Sequence, residues 1–224
     1  MNLPNSIYLS IFCIVFFVAM LIFPKISKSQ NVDTVSYLYG NMLGKSLASK
    51  GVEKLNFDLL LEGVKDGIVL KSRYPDSITR HLIRLFESAA WKSKYEANIK
   101  LGERFLFENQ KKENVIVTPS GLQYQIIKLG KGEIPKPEDV LTVNYKGELV
   151  NGLVFDNSYD RGQPVIVKIN QVIKGWKEIL QLMPFGSKFR VFIPYQLGYG
   201  VGGTNDIPPY STLIFELELI SLVK

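Results

Sequence analysis

Two hydrophobic periods divide the chain, and the change between them falls near Pro119. Before it, apolar side chains recur three or four positions apart, as on a helix with one covered face. In "VSYLYGNMLGKSLASKG" they are Val35, Leu38, Met42, Leu43 and Leu47, and Gly51 is a stop. In "NFDLLLEGVKDGIVL" they are Leu59, Leu60, Val64 and Ile68, with Asn56 placed as a cap. A third pattern runs from Ile78 to Lys112 without proline. Leu82, Leu85, Phe86, Ala89 and Ala90 form its early stripe; Trp91, Tyr95, Leu101 and Phe105 are then dispersed among charges, and Gly102 weakens the helix without ending it. One helix of about thirty residues spans roughly 45–50 Å, more than a small domain covers. The two shorter helices offer it little apolar surface. The pattern predicts that this region completes its core with a second copy of the chain, or else closes on itself as a compact three-helix domain.

After "NVIVTPSG" the period becomes two. Leu122, Tyr124 and Ile126 alternate with Gln123, Gln125 and Ile127, and Leu141, Val143 and Tyr145 with Thr142, Asn144 and Lys146. Phe189, Val191 and Ile193, then Leu213, Phe215, Leu217 and Leu219, repeat the pattern. These are strands of an antiparallel sheet with one core face. A short helix around "VIKGWKEILQLM" interrupts them. The predicted class is α+β: an N-terminal all-α region with a long linking helix, then an antiparallel half-barrel sheet wrapped on one short helix. The division is residues 1–29 as an address, 30–114 as the helical region and 115–224 as the sheet domain.

The first segment is apolar almost throughout from Ile7 to Phe23. Its length lies between a signal sequence and a minimal membrane span. Ser27 and Ser29 suit a signal peptidase, which predicts export to the periplasm or cell envelope, with cleavage after Ser29 or retention of residues 7–23 as a membrane anchor. The net charge of +6 is mild, and no run of basic residues interleaves with aromatics, which argues against a nucleic-acid partner. One cysteine, Cys13, and one histidine, His81, provide neither a disulfide framework nor a Cys/His metal set. Catalysis by a Ser-His-Asp or Cys-His group has little support for the same reason.

The alternation turns Tyr145, Phe155 and Phe215 inward, and Trp176 lies in the short helix with Ile173. The loop "YGVGGTNDIPPYS" brings Tyr199 and Ile207 to one rim, and Asp156 and Arg161 add polar groups. Together they suggest an apolar cavity with a few placed polar side chains. By itself "DNS" at Asp156 is a turn former as readily as a site. Gly198, Gly200, Gly202 and Gly203 read as loop geometry, since no helix with a Lys-Ser/Thr pair follows to cradle a phosphate.

The segments "LTVNYKGELVNGLVFDNSYDRGQPV", "VIKGWKEILQLMPFGSKFRVFIP" and "LGYGVGGTNDIPPYSTLIFELELI" resemble the FKBP-type peptidyl-prolyl cis-trans isomerases in the family's order. The resemblance covers about residues 115–224. "SYLYGNMLGKSLASKG", "LLLEGVKDGI" and "GERFLFENQKKENVIVTPSGLQYQIIKLGKG" resemble the amino-terminal domain of the macrophage infectivity potentiator-like subgroup. The resemblance implies exported homodimers joined through the N-terminal helices, acting as rotamases on proline-containing polypeptides and unfolded client proteins. It also implies macrolide inhibitors as pocket ligands, and no cofactor or metal. By the same resemblance, Tyr145, Phe155, Trp176 and Phe215 line the proline pocket with Trp176 as floor, Val172 and Ile173 form a wall, and the Ile173 N–H holds a substrate carbonyl. Tyr199 donates from its hydroxyl, Ile207 closes the rim, and Asp156 points into the pocket, steadied by Tyr145 and Arg161. One departure is Val165, where the family often carries an aromatic residue.

The implied chemistry needs no proton transfer. An X–Pro amide resists rotation by about 20 kcal/mol of resonance, which the twisted form has lost. An apolar pocket that strips water disfavours the polar planar amide relative to the twisted one. The alternatives are a dimeric chaperone that holds unfolded chains, with isomerisation secondary, and a surface-attached interaction protein.

Overall fold

The computed structural model describes residues 28–223. The apolar run at residues 7–23 lies outside the described residues, so the expectation of a signal or anchor is untouched by the fold. No helix among the described residues is long and apolar enough to cross a membrane. Two units are distinguished, the first ending at Glu87 and the second beginning at Ser88.

The first unit contains helices α1 (Lys28–Ser49) and α2 (Phe57–Ile68) and the start of α3 (Asp76–Lys94). Asn56 caps α2, its side chain accepting from the Leu59 N–H at 3.1 Å. Among the described residues of this unit only Gly51 and Val52 are buried. Leu38, Leu59 and Leu82, one from each helical stripe, are 52, 57 and 53 % exposed. The single chain does not form the compact three-helix domain that was the alternative reading, because its stripes do not cover one another.

The single helix expected from Ile78 to Lys112 is divided. α3 stops at Lys94, and α4 (Glu96–Asn109) begins after Tyr95, which leaves the helical region at φ −109° and ψ 18°. The ring of Trp91 packs edge-on against Tyr95, 4.8 Å between centroids. α4 then lies on the sheet of the second unit. Its residues Ile99, Gly102, Phe105, Leu106 and Asn109 recur three or four apart on the covered face.

That sheet has seven antiparallel strands: β1 (Ile116–Val117), β2 (Gln123–Lys128), β3 (Val140–Leu149), β4 (Val154–Asn157), β5 (Val165–Lys168), β6 (Lys188–Ile193) and β7 (Leu213–Leu222). Their order is β1-β2-β6-β7-β3-β4, with β5 also on β3. Helix α5 (Lys174–Leu180) packs on the concave face. Leu141, Val143, Ile179, Leu180, Phe189, Val191, Leu217 and Leu219 make the core. The alternation of apolar residues assigned these strands their inner face as predicted, except at Ile126, which is 44 % exposed where the register of β2 against β6 shifts.

The outer face is not wholly solvated, as a one-sided pattern had suggested. Phe192 of β6 is 3 % exposed because Phe105 of α4 covers it, with ring centroids 5.7 Å apart. Gln123 is 3 % exposed on the same side. It accepts from the Asn109 side chain and donates to the Leu106 carbonyl, both at 2.9 Å. A glutamine buried with both amide groups used costs little, whereas an unpaired one would be expensive.

α5 approaches the sheet at Gly175, where an added Cβ would lie 2.6 Å from Ile193 Cγ2. Ile193 is fully buried and cannot yield. Gly175→Ala is expected to cost about 1–3 kcal/mol of overpacking, read from denaturant unfolding followed by the fluorescence of the neighbouring Trp176.

Candidate functional site

One edge of β3 is shared by two short strands. Val140–Val143 pair with β5 and Lys146–Glu148 with β4. The break between them falls at Asn144 and Tyr145. Ser158, fully buried, closes it: its hydroxyl accepts from the Tyr145 N–H at 2.9 Å and donates to Asn144 Oδ1 at 3.0 Å. Its own N–H donates to the Tyr145 carbonyl at 2.9 Å. The strand edge is thereby satisfied where β4 ends, and a hollow opens between the diverging strands.

Strict alternation would send Phe155 and Asp156 to opposite faces. The register of β4 against β3 slips here: Gly147 faces Asp156 and Glu148 faces Val154, so Phe155 is the extra residue of a bulge. Both Phe155 and Asp156 consequently line the hollow. Tyr145 of β3, Phe215 of β7, Val165 and Val167 of β5, Gln171, Val172 and Ile173 before α5, Trp176 within it, and Tyr199 from the loop after β6 complete the lining. The cavity holds about 350 Å³, the size of a small-ligand site.

The aromatic walls stand nearly perpendicular. Trp176 meets Tyr145 at 79° and 5.2 Å, and Phe215 at 83° and 5.3 Å. Phe155 meets Phe215 at 83° and 5.6 Å. Edge-to-face packing of this kind places ring hydrogens against ring faces and holds each orientation. Gly147 permits it, since a Cβ there would lie 2.6 Å from the Phe155 ring and 2.8 Å from that of Phe215.

Among the described residues Asp156 is the one carboxylate in the lining. The Tyr145 hydroxyl donates to its Oδ2, and Arg161 donates to its Oδ1. Arg161 also donates to the Tyr145 hydroxyl oxygen at 3.0 Å, closing a three-membered ring of polar groups. Burial pushes the Asp156 carboxyl up, but the bonds from Tyr145 and Arg161 and the charge of Arg161 outweigh it and leave it below its ordinary value. Burial first, and then the bond to Asp156, raise the Tyr145 phenol. Burial and the nearby Asp156 charge raise the Tyr199 phenol. Both phenols therefore remain protonated donors near neutrality.

Of the residues singled out from the sequence, the fold brings Tyr145, Phe155, Asp156, Val172, Ile173, Trp176, Tyr199 and Phe215 to one cavity. Arg161 reaches it only through Asp156 and Tyr145. Ile207 does not line it: the side chain is 4 % exposed in the core, and its loop is tied by the Thr204 N–H donating to the Ile207 carbonyl at 2.8 Å. Sequence reasoning missed Val167, Gln171 and the buried Ser158. The alternation Val165-Ile166-Val167-Lys168, with Ile166 67 % exposed, was a usable signal for the first; nothing local distinguished the other two.

Family models match both regions. The FKBP-type peptidyl-prolyl cis-trans isomerase model matches residues 131–220, and that of the domain amino terminal to such isomerases matches residues 32–126. The chain belongs to the FKBP-type peptidyl-prolyl cis-trans isomerase family. The FKBP-type isomerase FkpA of Aeromonas hydrophila is 37 % identical over 90 % of this chain and 80 % of its own. The outer membrane protein MIP of Legionella longbeachae is 40 % identical over 88 % of each. The crystal structure of FkpA from Escherichia coli superposes with a TM-score of 0.58 at 33 % identity, covering 88 % of this chain and 97 % of that one. The protein is accordingly a peptidyl-prolyl cis-trans isomerase with an N-terminal helical region.

A carboxyl held low in the isomerase stabilises the folded state where it is ionised in both states. That contribution is complete above the ordinary carboxylate value of about 4 and is lost as pH falls through the lowered folded value. Asp156→Asn is therefore expected to flatten the dependence of stability on pH below about 4 and to leave the slope above pH 5 unchanged, as measured by urea unfolding across that range.

Proposed function

We propose that the isomerase binds an X–Pro segment of an exported polypeptide in this cavity and lowers the barrier to rotation by desolvating and holding the twisted amide. The observation that carries this reading is the perpendicular aromatic box with a single, charge-compensated carboxylate at its mouth. Among the described residues the lining contains no histidine, cysteine, serine or lysine. It suits a reaction in which no bond to the enzyme forms and no proton moves.

Each group then has a task. The faces of Tyr145, Phe155, Trp176 and Phe215 enclose the proline ring and exclude water, which removes the solvation that favours the planar, charge-separated amide. Asp156 faces the amide, and its charge is partly spent on Tyr145 and Arg161, so it can sit beside an apolar ring without recruiting solvent. Ile173 is the N-cap of α5, where backbone N–H groups lack an intrahelical acceptor, and its amide takes a substrate carbonyl. Tyr199 donates a second hydrogen bond from the opposite rim. Val165 and Val167 leave one wall low, which favours a bulky apolar residue before proline. Macrolide inhibitors occupy the same box. Because the aromatic set is complete, isomerisation ranks above the holding of unfolded chains as the primary activity.

Tyr199→Phe is expected to lower kcat/KM on proline tetrapeptides about fivefold to tenfold, the worth of one hydrogen bond. Asp156→Ala is expected to lower it at least as far, since it also leaves Arg161 unpaired. A coupled-protease or direct absorbance assay reads both. Turnover by the folded protein that is indifferent to both substitutions would remove the assignment.

We further propose that the isomerase is a homodimer through α1–α3, exported to the cell envelope. Support comes from the uncovered stripes of the first unit and from the match of residues 32–126 to the family's amino-terminal domain. The relative named an outer membrane protein agrees with an envelope location. Light scattering on the chain from residue 30 is expected to give twice the chain mass, falling to one on Leu38→Glu with Met42→Glu. A monomeric parent would overturn the dimer while leaving the cavity chemistry untouched.

A further inference from the structure

The loop that carries Tyr199 is not held by the sheet alone. Between β6 and β7 the chain leaves the sheet, and its backbone carbonyls need other partners. Three helix residues of the second unit meet it there. The Trp91 indole N–H donates to the Val201 carbonyl at 2.8 Å. The Asn98 side chain donates to the Pro209 carbonyl at 3.0 Å. At Gly102 the helix comes so close that an added Cβ would collide with Thr212 Oγ1 and lie 3.1 Å from Thr212 Cβ. Asn98 and Gly102 lie four apart on one face of α4, and Trp91 reaches the same loop from the last turn of α3.

The loop has internal reasons to need such a hold. Tyr210, 6 % exposed, has φ +59°, a left-handed backbone that a bulky side chain adopts only when its surroundings impose it. Its N–H donates to the Gly200 carbonyl at 3.0 Å, so its placement sets the residue next to Tyr199. The helix contacts at Pro209 and Thr212 bracket Tyr210, and the contact at Val201 lies two residues beyond Tyr199.

We propose that Trp91, Asn98 and Gly102 are positioning residues of the isomerase. They clamp the rim loop to the helix and so aim the Tyr199 hydroxyl at the bound peptide, which makes the helical segment from Ser88 onward part of the active unit. The inference rests on the role given above to Tyr199. None of the three touches the substrate; they act through the loop.

The test uses the full chain with Trp91→Phe, which keeps a ring against Tyr95 and removes only the donor, and with Asn98→Ala. Each is expected to lower kcat/KM on proline tetrapeptides about threefold to tenfold. In a Tyr199→Phe background the further loss is expected to shrink below twofold, since both changes then remove one interaction. The amide resonances of Gly200, Gly202 and Gly203 are expected to shift or broaden while those of β3 and β7 stay in place. Losses that multiply fully with Tyr199→Phe, or unchanged glycine resonances in folded variants, would overturn the clamp. A parent chain without turnover would instead count against the isomerase reading of the cavity, and the glycine resonances would still decide whether the helix holds the loop.

Discussion

One strand edge carries the whole site. β3 gives its second edge to two short strands in succession, and the backbone between them must be satisfied without a third. Ser158 meets that need with its side chain and its own amide. If those groups were left unpaired in the interior, the penalty would be paid at Tyr145, in the centre of the cavity. Because they are paired, β4 and β5 can diverge, a hollow opens, and the bulge at Phe155 turns two consecutive residues into it. The aromatic box, the carboxylate and the ring of hydrogen bonds around it all follow from this shared edge.

The polar ring of Tyr145, Asp156 and Arg161 answers a second constraint. A carboxylate beside an apolar ligand costs free energy unless other groups hold its charge. Arg161 supplies the charge and stays near the surface, its side chain 43 % exposed, so its own desolvation is small. Tyr145 shares the load with its hydroxyl and offers its face to the cavity. The site thus keeps a charge at its mouth without a buried, unpaired ion and without a group that titrates near neutrality.

The two units contrast in how they stabilise themselves. The sheet of the second unit is covered on its concave face by α5 and on part of its convex face by α4, so nearly every inward residue is fully buried. The first unit has amphipathic helices with no such cover. Helices of this length owe their stability in water mainly to packing of the apolar face rather than to propensity. A second copy is the simplest source of that packing, and it would make the helical region an assembly element while the cavity stays a property of one chain.

Period and spacing in the sequence determined much of this. The shift from 3.6 to 2 separated helices from strands, the alternation picked out Tyr145 and Phe215 as inward, and Asn56 marked a helix start that the fold uses. The ordered motifs carried the family, and with it the isomerase activity. What the sequence left open depends on contacts between distant segments. The break at Tyr95 has no proline or glycine to announce it and coincides with Trp91 and Asn98 meeting a loop more than a hundred positions away. The burial of Gln123 needs Asn109 and Leu106 on its far side. The placing of Phe155 and Asp156 together needs a register slip that alternation forbids, and Ile207 sits in the core rather than on the rim because its loop folds back through Thr204. Local pattern specifies which face of an element is apolar, whereas the choice of what covers that face belongs to packing, where polar groups must find partners that no short stretch of chain can supply.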